Sequence, residues 1–281
     1  MTAAPHLRHA RNFRYLGGAF LAVAVLSALV PLGLVVLNSF KSHADIVANP
    51  LSMPVSFDLS NFSRAWSTGD LTTGLVNSLL ICGSTVFVTL TFASLAAFPL
   101  ARRKIRGWRL VSLYFLVAVT VPIQLFMFPL YYIYATLGVV GNWFATSLIL
   151  SAINLPLAIF LLRTYVLTIP VELDDAARMD GAKPLQIWWM VILPLMTPGL
   201  LTVGTLVFLQ AWNEFLVTST FQQGQANFTM TLGYLSMNSV MATDRGIMMA
   251  GALLIILPIV VLFLAMQRFF VDGMTAGAIK G

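Results

Sequence analysis

Residues 170–183 read PVELDDAARMDGAK and separate two long apolar runs. This segment carries four of the ten carboxylates of a chain in which only 9% of the residues are charged. Because ionised side chains are costly to place in hydrocarbon, the segment is expected outside the membrane. Its position predicts that the chain crosses the membrane on either side of it.

The composition places the chain among integral membrane proteins. Its 281 residues are 59% hydrophobic, and the mean hydropathy is +0.88. A soluble domain carries about a quarter charged residues, so that class is excluded. The single cysteine, Cys82, excludes an intramolecular disulfide. The formal charge of +6 indicates membrane topology rather than nucleic acid binding.

The apolar runs predict an all-α integral membrane fold with six transmembrane helices. A secretory signal is the alternative for the first run, but its apolar core exceeds the roughly 7–15 residues of such signals. Prolines within the runs predict kinked helices. The predicted organisation is a leader over residues 1–14, a transmembrane domain over 15–270 with a loop at 170–186, and a tail over 271–281. The predicted spans are 15–37, 71–101, two within 109–163 divided at 138–142, 187–217 and 247–266.

The basic residues predict the orientation of the chain. With a cytoplasmic N-terminus, thirteen of the sixteen lysines and arginines lie in inner segments and three in outer ones. A positive loop is costly to translocate, so both termini and the 170–183 segment are expected in the cytoplasm. Five basic residues after the second span are interpreted as a topology anchor that also meets anionic lipid: Arg102, Arg103, Lys104, Arg106 and Arg109.

The charged segment has the start and stop signals of a short helix. Pro170 suits a helix start, and Glu172, Asp174 and Asp175 favour the positive N-terminal end of a helix. Gly181 can adopt the left-handed conformation in which many helices end. The sequence therefore predicts a short helix between the fourth and fifth spans.

One face of this helix is suited to contact with a partner. Leu173, Ala176, Ala177 and Asp180 fall on one face at the spacing i, i+3, i+4 and i+7. The two alanines permit close approach, and the acids can meet basic residues of the partner. The alternative is a solvated loop that only connects two spans.

The exact spacing of the segment resembles the loop of ATP-binding-cassette (ABC) importer permeases. Their pattern is Glu-Ala-Ala, three residues, Gly, nine residues, Ile, one residue and Leu-Pro. This sequence has Asp175-Ala176-Ala177, Gly181, Val191 and Leu193-Pro194 at those positions. Aspartate replaces glutamate and valine replaces isoleucine, which keeps the charge and the branched shape.

Other stretches are similar to the carbohydrate branch of these importers, and within it to the smaller, maltose-type permease with six helices. They are Asn77-Ser78-Leu79, residues 96–102, residues 212–215 and residues 273–281. The resemblance implies half of a translocation path for a sugar or oligosaccharide that works by alternating access in the bacterial inner membrane. The implied partners are a second permease, two ATPase subunits that bind ATP and Mg, and an extracytoplasmic solute-binding protein.

The resemblance also implies two contacts with the ATPase subunits. Residues 172–185 would form the coupling helix, and the tail would make a second contact. A specific ATPase contact of the five basic residues is the alternative to their role as an anchor. The implied coupling residues are Glu172, Asp174, Asp175, Ala176, Ala177, Asp180 and Gly181; those of the tail are Thr275, Gly277, Lys280 and Gly281.

Glu214 is the only carboxylate within an apolar run. An ionised acid there should be paired, hydrated or near a membrane face. One interpretation places Trp212, Asn213 and Glu214, together with Asn77, near the translocation path or its outer gate. In the other, Glu214 bonds a neighbouring subunit near the outer surface. The residues alone leave both open.

No catalytic or metal site is expected. The three histidines, His6, His9 and His43, lie in the leader or the first outer loop, and no cluster has metal-ligand spacing. There is no glycine-rich phosphate loop, so no cofactor is expected on this chain. An ion-coupled secondary transporter and a membrane-embedded enzyme are the alternatives; only Glu214 partly suits the first, and no convergent acid–base site suits the second.

Overall fold

The computed structural model describes residues 5–55, 57–241 and 244–278, and the side chains of residues 17–55, 57–237 and 244–267. Every regular element in these ranges is helical, as predicted. The first elements are α1 (Pro5–Ser39), α2 (His43–Ala48), α3 (Ser60–Thr68), α4 (Leu71–Ala101), α5 (Trp108–Thr120), α6 (Gln124–Thr136), α7 (Trp143–Thr168) and α8 (Glu172–Met179). There follow α9 (Pro184–Ile187), a π-helical turn (Trp188–Ile192), α10 (Leu193–Leu195), α11 (Thr197–Asn213), α12 (Leu216–Phe221), a 3-10 turn (Gln225–Asn227), α13 (Met230–Met241) and α14 (Arg245–Ala278).

The apolar helices account for four to six spans. Four helices are long and apolar enough to cross a membrane alone: Gly17–Ser39 of α1, α4, α7 and Arg245–Gln267 of α14. Two more spans arise if α5 with α6, and Pro184–Leu195 with α11, each count as one broken span. The predicted break at residues 138–142 is confirmed, because α6 ends at Thr136 and α7 begins at Trp143.

The third and fifth predicted spans are bent pairs rather than single helices. The bend is 91° between α5 and α6 and 78° between Pro184–Leu195 and α11. At the first bend Val121 is extended, with ψ 119°, because the ring of Pro122 disfavours the α conformation in the residue before it. At the second, Pro198 lies in the first turn of α11, where its missing N–H is not needed.

The fifth predicted span also ends earlier than expected, at Asn213 rather than near Val217. Glu214 leaves the helical conformation, with ψ 121°, and α12 begins two residues later. A second irregularity precedes Pro194, where the N–H of Leu193 bonds the carbonyl of Trp188 in a π turn. This wider turn accommodates a proline that lacks an N–H and whose ring crowds the preceding turn.

The helices group into two compact units, residues 1–69 with 236–255 and residues 70–235 with 256–281. In the first unit, Asn61 Nδ2 donates to the carbonyls of Ser39 (3.0 Å) and Lys41 (2.9 Å). Arg64 pairs with Asp244 at 3.2 Å. These bonds connect α3 with the end of α1 and the residue before α14.

The second unit is built around the packing of α4 against α7. Ala93 and Ala97 of α4 are fully buried, and their small side chains permit close approach of the helices. Ser151 of α7 donates to the Thr85 carbonyl of α4 at 3.4 Å, and Thr85 donates to the Ser147 carbonyl at 3.5 Å. Helix association in a membrane depends on such packing and interhelical hydrogen bonds, so this pair forms a stable base for the elements at its ends.

Candidate functional site

The predicted short helix is present as α8, between α7 and α9. Glu172, Asp174 and Asp175 lie in its first turn and Arg178 in its last, which suits the helix dipole at both ends. Gly181 follows the helix with φ 84°, the left-handed conformation that favours glycine. A Cβ at Gly181 would meet nothing within 4 Å, so backbone conformation rather than space requires the glycine.

A buried ion pair connects α8 to the end of α4. Arg102 donates from Nε to Asp174 Oδ2 at 3.0 Å and from Nη2 to Asp174 Oδ1 at 3.1 Å. Only 7% of the Arg102 side chain and none of the Asp174 side chain is exposed. Two parallel bonds between a guanidinium and a carboxylate are a strong and directional contact. The pair therefore holds α8 at a defined position.

Arg102 also reaches the end of α7. Its Nη1 donates to the carbonyls of Ile169 (3.1 Å) and Val166 (3.4 Å). These carbonyls belong to the last turn of α7 and the residue after it, where a helix leaves acceptors without intrahelical donors. One side chain thus joins the ends of α4 and α7 to the first turn of α8.

The ion pair changes two interpretations from the sequence. Asp174 was expected to be available to a partner and Arg102 to anchor the membrane surface, but each is occupied by the other inside the chain. The residues are 72 positions apart, and helix periodicity indicates only local pairs. The one signal in the sequence was the prediction that both lie on the same side of the membrane.

Two further basic side chains lie near Asp174 but contribute less to its binding than Arg102 does. Lys104 and Arg178 each place a nitrogen 3.8 Å from Asp174 Oδ2, and Arg178 also bonds Asp175 at 2.8 Å. Lys104, Arg178 and Asp175 have side chains that are 39%, 42% and 61% exposed. Exposed pairs contribute at most about 1 kcal/mol, so the bond with Arg102 dominates.

The outer face of α8 is exposed and mixed in character. Met179 is 88% exposed and Leu173 40%, beside exposed carboxylates. The predicted face is only partly correct, because Ala177 is half-buried and packs on the core of the unit. Ala177 lies three residues after Asp174, so the buried ion pair turns both inward. The residues that face outward are Glu172, Leu173, Asp175, Ala176, Met179 and Asp180.

Glu214 serves as a helix cap. Its carboxylate accepts from the N–H of Val217 (2.9 and 3.0 Å to the two oxygens) and of Thr218 (3.1 Å). These N–H groups belong to the first turn of α12 and have no intrahelical acceptor. Neighbouring Trp212 is buried and stacks on Phe208, with ring centroids 5.7 Å apart.

Two other residues assigned to the path have structural partners as well. Asn213 is exposed, and its Nδ2 donates to the Leu209 carbonyl at 2.8 Å. Asn77 Nδ2 donates to the carbonyls of Ala226 and Phe228, at 3.0 Å each, and holds the 3-10 turn against α4. Within the described ranges no hydrogen bond joins Asn77 to residues 212–214, so the structure does not assemble the predicted group.

The structure describes little about the tail residues that were assigned to the second ATPase contact. Thr275 and Gly277 lie in the last turns of α14, beyond the residues whose side chains are described. Lys280 and Gly281 lie outside the described residues. Among the side chains that are described, no group of three or more His, Cys, Asp or Glu residues is arranged to hold a metal ion.

The whole chain resembles membrane subunits of importers. Residues 89–276 match the family described as "Binding-protein-dependent transport system inner membrane component". The arabinooligosaccharides transport system permease protein AraQ of Halalkalibacterium halodurans is 33% identical over 270 residues, 95% of this chain and 95% of AraQ. The melibiose/raffinose/stachyose import permease protein MelC of Bacillus subtilis is 31% identical over 92% of this chain and 94% of MelC. A chain in the crystal structure of a bacterial ABC transporter involved in alginate import has the same fold, with a TM-score of 0.77, 23% identity and coverage of 96% of this chain and 99% of that one.

We expect Asp174→Asn to weaken the attachment of α8 to α4 and α7, so that the helix unfolds locally more often. The variant leaves Arg102 buried without a counterion, which costs about 3–5 kcal/mol in comparable pairs. Amide hydrogens of residues 172–182 should then exchange at least about 100-fold faster in hydrogen–deuterium exchange mass spectrometry, if they exchange by local opening.

The control for this variant is Asp175→Asn, which removes the same charge from an exposed carboxylate. It should change exchange less than about fivefold, because exposed pairs are weak. Equal exchange in the two variants would show that the buried pair does not hold the helix.

Proposed function

Because this chain belongs to the family of binding-protein-dependent transport system inner membrane components, we propose that it forms half of the translocation path of a bacterial sugar or oligosaccharide importer. Two relatives that match over more than nine-tenths of the chain are named as permeases for arabinooligosaccharides and for melibiose, raffinose and stachyose. These names support a carbohydrate substrate. Members of the family are transport subunits of the inner membrane. The energy for transport therefore comes from separate ATPase subunits with bound ATP and Mg.

The attachment of α8 is the observation that carries this proposal. A short charged helix, exposed on one face, is fixed by Arg102 to the ends of two packed membrane helices. A displacement of α8 therefore reaches α4 and α7 through a bonded contact rather than through a flexible loop. This is the geometry required of a helix that couples an ATPase subunit to a membrane bundle.

The docking face of this coupling helix is the outward face of α8. Ala176 at its centre permits close approach, and the exposed Met179 and Leu173 supply apolar contact. Glu172, Asp175 and Asp180 are available to basic residues of the ATPase subunit. Asp174 and Ala177 act from the inner side by fixing the helix.

The orientation and number of spans belong to the same proposal. The excess of basic residues in alternate segments supports cytoplasmic termini and a cytoplasmic α8. Six spans result when each bent pair counts as one. In this topology the last residues of α14 and the tail, including Thr275, Gly277, Lys280 and Gly281, lie on the ATPase side and make a second contact.

Alternating access follows from these parts. Closure of two ATPase subunits around nucleotide moves α8, and the bundle opens toward a solute-binding protein outside. A second permease completes the path. The bends at Val121 and Met196 divide two spans into shorter helices, whose angles can change without breaking hydrogen bonds inside either segment.

An ion-coupled mechanism has less support from the structure than it had from the sequence. Glu214 was its single candidate residue, and both of its oxygens accept hydrogen bonds from backbone N–H groups. A carboxylate used as a cap has less capacity to bind a coupling ion. Since the matched family depends on a binding protein, we retain ATP as the energy source.

We expect sugar uptake to depend on ATP rather than on an ion gradient. The transporter is reconstituted in vesicles with its binding protein, and entry of a labelled oligosaccharide is measured. ATP supplied on the side of α8 should drive accumulation in the presence of ionophores that remove proton and sodium gradients. Accumulation that requires a gradient and ignores ATP would contradict the proposal.

We expect Ala176→Trp to release the ATPase subunit. The large ring blocks close approach at the centre of the docking face, where disruption typically costs 2 kcal/mol or more, or about 30-fold in affinity. The measurement is the amount of ATPase subunit that co-purifies with the tagged chain.

Ala44→Trp is the matched control for this experiment, since Ala44 is exposed on the short helix α2 in a segment assigned to the other side of the membrane. It should retain the ATPase subunit. If Ala176→Trp still co-purified fully with the ATPase subunit and kept full uptake, α8 would not be the docking helix.

Glu214 is tested by comparing two substitutions. Glu214→Ala removes the acceptors of two N–H groups, which costs about 1 kcal/mol at a helix cap, and should speed amide exchange in residues 216–221 about fivefold. Glu214→Gln keeps one acceptor oxygen and should lie closer to the unchanged protein in both exchange and uptake. If the glutamine variant keeps the cap but loses uptake, the negative charge serves the path or a neighbouring subunit directly.

A further inference from the structure

Three arginines from separate parts of the chain surround one indole ring. The guanidinium carbons of Arg103, Arg109 and Arg163 lie 5.0, 5.6 and 5.6 Å from the centroid of Trp108. Arg103 follows α4, Arg109 lies in the first turn of α5, and Arg163 comes from α7. The fold therefore concentrates positive charge at Trp108, the first residue of α5.

This positive charge is not balanced by the described part of the chain. Among the described residues, none of these three arginines has a carboxylate within 4.0 Å, since Asp174 and Asp175 pair with other bases. Like charges this close repel one another unless an anion lies between them. Arg103 and Arg109 are exposed and Arg163 is half-buried, so the cluster offers a positively charged site that an anion from outside the described residues would stabilise.

Two buried donors on α5 and α7 lack acceptors. The Nε of Arg163 and the Oγ of Ser112 are buried and have no hydrogen-bond partner among the described residues. Ser112 lies four residues after Trp108, so both point from the same face of α5. Leaving a buried charged donor unpaired is costly, which indicates that an acceptor binds here in the membrane.

An apolar groove lies between the same helices. It has a volume of about 690 Å³ and lies between α5, α6 and α7, with Tyr114 and Phe115 nearest in sequence to Ser112. On α7 its lining reaches Pro156, two turns before Arg163. On both α5 and α7 the groove therefore begins within about two helical turns of the cluster and extends away from it.

The position of the cluster along the helices matches the headgroup region. Arg163 lies five residues before the end of α7, or about 7.5 Å along the helix axis. Trp108 lies at the end of a span, where aromatic rings meet the headgroups. A ligand with a negative head and a hydrocarbon chain fits the cluster and groove together, whereas a protein carboxylate explains only the cluster.

We infer that Arg103, Arg109 and Arg163 bind the phosphate of an anionic phospholipid, with one acyl chain of that lipid in the groove between α5, α6 and α7. Ser112 and the Arg163 Nε supply the buried donors. This site does not depend on the coupling role of α8; only its assignment to the cytoplasmic leaflet rests on the proposed orientation.

The test measures phospholipid retained by the assembled transporter, purified through a tag on this chain. Nanodiscs contain phosphatidylcholine with added phosphatidylglycerol, and bound lipid is counted by native mass spectrometry after mild delipidation. Arg163→Gln should lower phosphatidylglycerol affinity about fivefold or more, the loss typical of one basic contact. Arg163→Lys keeps the charge and should recover part of the affinity.

Arg106→Gln is the matched control. Arg106 is exposed in the loop between α4 and α5, which also holds Arg103, but it is not among the arginines at the Trp108 ring. It removes the same charge and should change affinity less than about twofold. Ala152→Phe fills the groove, which Ala152 lines, and should lower phosphatidylglycerol retention while leaving Arg163 in place.

Several outcomes would overturn the site. Equal losses for Arg163→Gln and Arg106→Gln would indicate diffuse attraction to the membrane. Displacement of phosphatidylglycerol by inorganic phosphate, without an effect of Ala152→Phe, would assign the cluster to a free anion. Retention by the separate chain but not by the assembled transporter would show that a partner subunit covers the cluster. ATP hydrolysis stimulated by the binding protein, measured on the same preparation, tests the proposed function separately.

Discussion

The contact between Arg102 and Asp174 is the interaction on which the arrangement at the candidate coupling site depends. Burial of an ion pair is costly, and the cost is offset only when geometry is good and the remaining donors are satisfied. Here two parallel bonds join guanidinium and carboxylate, and the third nitrogen of Arg102 bonds the end of α7. The same contact determines which face of α8 is turned outward, and so which residues a partner can reach.

The basic residues after α4 divide into two groups with different roles. Arg102 is buried and paired, whereas the next residue, Arg103, joins Arg109 and Arg163 around Trp108 without a carboxylate in the described structure. Composition treats these residues alike, as one cluster of positive charge. Their separation follows from tertiary contacts, because Arg102 reaches Asp174 whereas Arg103, with φ 54°, lies at the ring of Trp108.

Isolated polar groups in the apolar runs are used largely by the chain itself. Glu214 caps α12, and Asn77 donates to one carbonyl within the 3-10 turn and to one just after it. An acid within an apolar run is first interpreted as a functional residue. A broken span, however, exposes N–H groups at each new helix start, and a carboxylate there satisfies them. The break at Glu214 was not visible in hydropathy, because Asn213 and Glu214 have apolar residues on both sides.

The sequence by itself determined the membrane class, the positions of the apolar runs, the short helix after α7 and the family, which the match over residues 89–276 confirms. These properties depend on composition, local periodicity and the spacing of a motif, all of which are read within a few tens of residues. Only the tertiary structure decided that Asp174 and Ala177 face inward, that two spans bend by 91° and 78°, and that three arginines meet at Trp108. Those features depend on contacts between residues far apart in the chain, such as Arg102 and Asp174, and a local pattern carries no information about which distant side chain completes a buried charge.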